Sequence, residues 1–254
     1  MNLRDTIDSI WESTQQGIYF PAEWKGKLSM EEGYQVQLGL LEKYIESGEE
    51  QAGWKVGLTA KAIQEQLDFH ERVFGFLLKN ANRPSESLIP FEELVGPCFE
   101  TELCVTLGSA LKGGDVTPEQ ARAAISHVAP AFELIERRGN FTADLPLSMT
   151  DNVQAKYFVT GEPVALSEDI DLEQVTLKLL INGEMVEEAT AKEVLGGPAA
   201  SVAWLANQLA SFGKRLEPGT RIMTGSLTKQ FPVGQGDFVE AHFSHFGTVA
   251  VEFE

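Results

Sequence analysis

The sequence predicts an α+β domain built around a rolled-up sheet, with a small helical N-terminal region packed against it. Three observations predict this. Strand-like runs outnumber helical ones, and the two are mixed in order. Turn signals such as Asn182-Gly183 join some of those runs into hairpins. Two stretches of helical spacing fall within the first 50 residues.

Residues 2–16 carry the first helical spacing. Residues 30–48 carry the second, where Tyr34, Val36, Leu38, Leu41, Tyr44 and Ile45 form a broad apolar face. Ser29 and Glu32 stand at the spacing of a capping box before it. After Gly53, "WKVGL" reads as a strand, and "TAKAIQEQL" reads as a helix beginning near Thr59. From about residue 95 strands dominate, the first over 98–107. Residues 117–127 read as a helix with Pro118 near its first turn. "VAPAFELIER" returns to a strand. "VTLKLLINGEMVEEA" is a hairpin, and a helix follows at 198–212 with Val202, Leu205, Ala206 and Leu209 at helical spacing. The tail "DFVEAHFSHFGTVAVEFE" alternates as a second hairpin. No shift of composition marks a linker. The elements suggest a mostly helical region over 1–90, carrying the Lys55 strand, and a β-roll over 91–254; one continuous domain fits equally.

Composition narrows the function. Of 254 residues, 43% are hydrophobic, enough for a substantial core. The formal net charge of −18, with no basic stretch to offset it, argues against nucleic acid as a partner. An anionic substrate remains open but needs a local positive centre. No apolar window has the ~18 residues of a membrane span, and the N-terminus has no apolar signal region. Cys98 and Cys104 read as small core residues of a reduced, cytoplasmic protein.

The segment "CFETELCVTLG" sets two glutamates, Glu100 and Glu102, inside an apolar strand. Residues i and i+2 of a strand share a face, so the two carboxylates lie roughly 7 Å apart at Cα and repel. An exposed face tolerates this; a buried one needs a cross-strand cation or a bound divalent ion. "HVAPAFELIERR" places Glu133 in a second apolar strand. Three carboxylates without a nearby His or Cys are a hard oxygen donor set, suited to Mg²⁺ or Mn²⁺. His70, His127, His242 and His245 read as structural, turn or surface residues.

The segments "GWKVGLTAKAIQEQL", "GPCFETELCVTLG", "HVAPAFELIE", "SMTDNVQAKYFVTG", "GGPAASVAWLANQLASFGKRLEPGTRIMTGSLT" and "FPVGQGDFVEAHFSHFGTVAVEF" occur in order. Together they resemble the 2-hydroxypentadienoate (2-oxopent-4-enoate) hydratases and 4-oxalocrotonate decarboxylases of the fumarylacetoacetase-like superfamily, from about residue 30 onward. The resemblance implies a mixed β-roll with flanking helices, a homo-oligomer, and in some cases a complex with a partner of the same pathway. It implies a metal held by Glu100, Glu102 and Glu133, and a functional lysine at Lys55. It implies a substrate pocket drawn from Leu58, Val73, Asp151, Asn152, Ser226 and Thr228. The substrates would be small anionic 2-oxo or 2-hydroxy acids with a conjugated double bond, met in the breakdown of aromatic rings. A chelated Mg²⁺ or Mn²⁺ would act as a Lewis acid at the C1 carboxylate and C2 oxygen. That electron sink serves either addition of water or loss of carbon dioxide. From the residues alone Lys55 reads equally as a snorkelling lysine, "TGSLT" as a strand-end turn, and Asp151-Asn152 as a loop turn or cap.

One position departs from the hydratase pattern. Hydratases of the family carry an Asp after the lysine motif, and here "HERVFGFLL" puts Val73 in its place. A valine moves no proton, which favours the decarboxylase alternative; Glu71 is a conceivable substitute. A hydrolase using a Glu–His pair is a competing enzyme, and a non-catalytic metal-binding subunit is the competing non-enzyme.

Overall fold

The structure is a computed structural model that describes residues 2–60, 64–65 and 69–254. The chain runs through α1 (Leu3–Gln15), α2 (Met30–Glu46), β1 (Gln51–Gly57), β2 (Val73–Leu78), β3 (Asn82–Pro84), β4 (Ser87–Ile89) and β5 (Pro97–Leu107). It continues through α3 (Pro118–Ala124), β6 (Ile125–Glu136), α4 (Leu145–Thr150), β7 (Ala155–Thr160), β8 (Val164–Ala165), β9 (Thr176–Ile181) and β10 (Glu184–Thr190). It ends through α5 (Gly197–Ser211), β11 (Arg221–Met223), β12 (Phe231–Pro232), β13 (Phe238–Phe243) and β14 (Gly247–Phe253).

Among the described residues the strands form two sheets. The larger runs β2-β1-β11-β5-β6-β7-β3, with β12 added on β5 and β8 on β6. The smaller runs β10-β9-β13-β14-β4. β14 lies against β6 and β7, so the smaller sheet folds over the larger. Phe99, Phe132, Leu134, Val249, Val251 and Phe253 share the buried cluster between them. This is the expected α+β roll, and it explains why β5 and β6 read as almost unbroken apolar runs: both strands are buried along nearly their whole length.

The helices follow their caps. Ser29 Oγ accepts from the Glu32 amide at 3.2 Å, and Glu32 Oε2 accepts from the Ser29 amide at 2.8 Å, which completes the capping box of α2. Thr117 and Gln120 do the same for α3. That helix ends at Ala124, three residues before the expected end. The Gly108 amide takes the Ala124 carbonyl at 2.7 Å, and Ser126 Oγ donates to the Thr106 carbonyl, so the end of β5 captures the chain as a strand. The hairpin of β9 and β10 turns on Asn182 and Gly183, both at positive φ. The helix expected from Thr59 lies largely outside the described residues. Cys98 and Cys104 are free and buried. His242 and His245 are exposed, as the surface reading requires, with His245 at a turn.

Candidate active site

Register builds the site. β5 and β6 run antiparallel with Glu100 directly opposite Glu133, and Glu102 opposite Ala131. The three glutamates therefore share one face, and one oxygen from each lies within 4.8 Å of the others. β1 reaches the same place through β11, where Lys55 pairs with Met223 and Met223 with Cys104. Lys55 Nζ lies 2.6 Å from Glu133 Oε1 and donates to the Val153 carbonyl at 3.0 Å.

The burial of this cluster decides its meaning. Glu102 and Glu133 are 0% and 1% exposed, and Lys55 is 3% exposed. Only Glu100 is partly open to solvent, with Gln230 Nε2 donating to its Oε1 at 2.7 Å. Glu102 Oε2 accepts from the Gly225 amide at 2.8 Å. Glu102 Oε1 and both oxygens of Glu133 have no hydrogen-bond partner among the described residues. The Lys55 contact with Glu133 is thus an ion pair without hydrogen-bond alignment. One ammonium against two buried carboxylates and a half-buried one leaves negative charge uncompensated, and buried unpaired charge is strongly unfavourable. A divalent cation would supply what is missing: the donors are hard oxygens, they converge, and their free lone pairs face one another.

Backbone conformation supports the cluster from two sides. Gly225 sits at φ 109°, and a Cβ there would lie 2.2 Å from Thr59 Oγ1, so only glycine brings this amide onto Glu102. On the other side, Asn152, Val153 and Gln154 are all left-handed, at φ 49°, 54° and 60°. This conformation is unfavourable for a β-branched valine, so its surroundings must hold it. Asn152 does so by accepting from the Phe76 amide at 2.8 Å and donating to the Phe76 carbonyl at 2.9 Å. Gln154 donates to the Gly139 carbonyl, and Arg138 Nη2 donates to the carbonyls of Asp151 and Ala155. The result is a Val153 carbonyl aimed at Lys55.

A cavity of about 370 Å³ opens above the cluster. Lys55 and Glu100 form part of its floor, and Leu58, Ser226 and Thr228 part of its wall. Ser226 Oγ donates to the Thr228 carbonyl, and Thr228 Oγ1 lies 2.9 Å from Thr101 Oγ1. Three residues expected at the substrate are not in the lining of this cavity. Val73 is fully buried opposite Gly57, and Asp151 and Asn152 line a second cavity of about 360 Å³. Glu71 is exposed and outside the first cavity's lining.

Residues 58–254 match the family described as fumarylacetoacetate (FAA) hydrolase C-terminal. The chain belongs to that family. Among its relatives, a 4-oxalocrotonate decarboxylase of Pseudomonas putida is 32% identical over 89% of this chain and 86% of its own. A 2-hydroxyhexa-2,4-dienoate hydratase of Comamonas testosteroni is 31% identical over 89% of this chain and 87% of its own. A solved structure of the Pseudomonas putida G7 4-oxalocrotonate decarboxylase, complexed with magnesium and adipate, superposes with a TM-score of 0.92. It is 29% identical and covers 99% of this chain and 98% of that one. A fumarylpyruvate hydrolase of Pseudomonas aeruginosa, 19% identical with a TM-score of 0.62, shares the fold alone.

In this FAA hydrolase family member the carboxylates answer to each other. Burial pushes the Glu100 carboxyl up to about 7; the Glu133 charge adds to the rise, while Lys55 and Gln230 oppose it. Burial also pushes Glu102 well above the usual carboxylate range, with Glu133 and Glu100 adding. Gln230 and Arg137 also line the cavity and are not among the residues that the sequence motifs point to. Arg137 was within reach, because Glu133, Ile135 and Arg137 alternate along one strand direction. Gln230 carries no such signal.

Proposed function

We propose that this protein is a divalent-metal-dependent lyase of the 2-keto-4-pentenoate hydratase type. It adds water to a 2-oxo-enoate, the tautomer of a 2-hydroxy-dienoate, in the breakdown of aromatic ring-cleavage products. The observation that carries this is the convergence of Glu100, half-buried, with the buried Glu102 and Glu133, three of whose oxygens lack any hydrogen bond among the described residues, beside Lys55 under an open cavity. The relatives named as hydratases and decarboxylases support the same reaction class.

The three glutamates would hold Mg²⁺ or Mn²⁺. When bound, the cation supplies Lewis acidity at the carboxylate and 2-oxo oxygens of the substrate. The remaining work falls to the chain. Lys55 Nζ, anchored by the Val153 carbonyl and Glu133, is positioned to hold and move the proton exchanged with the substrate's carbon chain. Leu58, Ser226 and Thr228 shape the wall that receives the substrate. Asp151 and Asn152 act behind that wall by fixing the turn that presents Val153.

Val73 favours a second reading, decarboxylation of a 2-oxo-enedioate. A fully buried valine offers no group to activate water, and decarboxylation needs none. The deciding experiment incubates the purified chain with 2-hydroxypentadienoate and with 4-oxalocrotonate, each with and without Mg²⁺, and identifies the products. Metal-dependent formation of the 4-hydroxy-2-oxo acid supports hydration, and release of carbon dioxide supports decarboxylation. No metal-dependent turnover of either would leave the non-catalytic subunit.

The setting is part of the proposal. Two free buried cysteines suit a cytoplasmic protein. Exposed Met185, Val186 and Phe238 suit a homo-oligomer or a complex with another enzyme of the pathway. Among the described residues, no helix is long and apolar enough to cross a membrane.

A further inference from the structure

The first cavity is more basic than the protein around it. The chain carries 38 acidic residues against 20 Lys and Arg, yet among the described residues the cavity lining holds Lys55, Arg137 and Lys229 against a single acid, Glu100. Lys55 is committed to Glu133 and the Val153 carbonyl. Arg137 and Lys229 are not committed: both are exposed, and among the described residues neither has an anionic partner. Lys229 Nζ lies over the Phe231 ring, 5.1 Å from its centroid.

The chain places Arg137 here deliberately enough to separate it from its neighbour. Arg137 follows the end of β6, where its amide donates to the Gly96 carbonyl, and it lines the first cavity. Arg138, the next residue, lines the second cavity and is bonded to Glu136 and Asp151. Ile135 and Phe141 add apolar surface to the same lining. The first cavity thus brings together Lys55 and Glu100 of the cluster, apolar side chains, and the two uncommitted cations.

We propose that Arg137 and Lys229 receive a second carboxylate at the far end of the substrate, so that this enzyme prefers a 2-oxo-enedioate to a 2-oxo-enoate with an uncharged tail. The inference rests on the proposed reading of the site, in which the 2-oxo acid end faces the glutamates. An apolar wall then meets the carbon chain, and the two free cations meet the distal anion. A guanidinium binds a carboxylate in a two-pronged fashion that a lysine alone does not reproduce, so Arg137 contributes more than Lys229.

The test uses two unreactive six-carbon probes, 2-oxoadipate and 2-oxohexanoate, titrated calorimetrically into the full chain with Mg²⁺ present. The expected result is that the diacid binds about tenfold more tightly, the scale of one charge-assisted contact. In the Arg137→Ala/Lys229→Ala variant that preference should fall below about twofold, through loss of diacid affinity alone. Arg137→Lys should keep part of it, and raised salt should erode it in the wild type. Equal binding of the two probes by the wild type, or an undiminished preference in the double variant, would overturn the inference while leaving the site reading intact. If neither probe binds in a Mg²⁺-dependent manner, the site reading and the inference fall together.

Discussion

Two buried groups of charge sit three residues apart on β6, and they are built in opposite ways. Glu136 belongs to the first group. Its Oε1 accepts from the Val95 amide and meets Lys156 Nζ at 3.4 Å, and its Oε2 accepts from Arg138 Nη1 at 2.8 Å. Arg138 Nε bridges both oxygens of Asp151 at 3.0 Å, and its ring-facing side lies over Tyr19. Burial pushes Asp151 up to about 7, against the pull of that guanidinium. Glu133 belongs to the second group, where three carboxylates share one lysine and three oxygens have no hydrogen bond. The first group is complete without any ligand, as a group that serves folding would be. The second is deficient in positive charge, which is what the proposed metal site requires. Burial alone does not mark a site; burial with unmet demand does.

Neutralising one glutamate of the deficient group separates function from stability most sharply. Glu133→Gln and Glu102→Gln should each lower metal-dependent turnover by about 10³-fold or more, since they remove both a ligand and its charge. Thermal melting of the metal-free variants should stay level or rise, because like-charge repulsion is relieved. A marked loss of melting temperature in both would place this group with the structural one. Arg138→Met should do the reverse in the complete group. Removing one partner strands Glu136 and Asp151 and should cost about 3–5 kcal/mol by denaturant titration.

The two groups should also differ with pH. The folded pKa of Glu100, about 7, is raised above its ordinary value of 4.5, and Glu102 shifts the same way. The folded chain then binds more protons than the unfolded one between those values. Stability of the metal-free protein should be greatest below about pH 4.5 as far as these groups contribute, and fall as pH rises through about 7. Saturating Mg²⁺ should flatten that fall, which melting curves across the range would read. The smallest effect is expected at Asn152→Ala. It breaks two hydrogen bonds to Phe76 and should cost about 1–3 kcal/mol, with a loss of turnover as the Val153 carbonyl drifts from Lys55.

Much of this was legible beforehand, because it depends on local pattern. Strand parity alone put Glu100 and Glu102 on one face, and caps at Ser29 and Thr117 started their helices where expected. What parity could not supply was register: Glu133 meets Glu100 only because β5 and β6 pair across some 30 residues of chain. Asp151 and Asn152 were expected at the substrate because they are polar and lie in a matching segment. They are instead consumed by Arg138 and Phe76, contacts made over long separations that no local pattern encodes. The left-handed turn at 152–154 was illegible for a stronger reason, since a valine argues locally against the conformation it adopts. The early end of α3 was likewise a tertiary outcome, decided by a carbonyl that β5 needed.

The turn at 152–154 also has a bearing on inheritance. Lys55 is tethered there by a main-chain oxygen, and every amino acid brings that same atom. No single codon change at position 153 can delete the tether; it can only loosen the loop that aims it. The ammonium's placement is therefore guarded against the commonest kind of genetic damage, and its vulnerability is moved outward to Asn152, Arg138 and Gly225, whose side chains, or lack of one, keep the loop and its opposite bank in place.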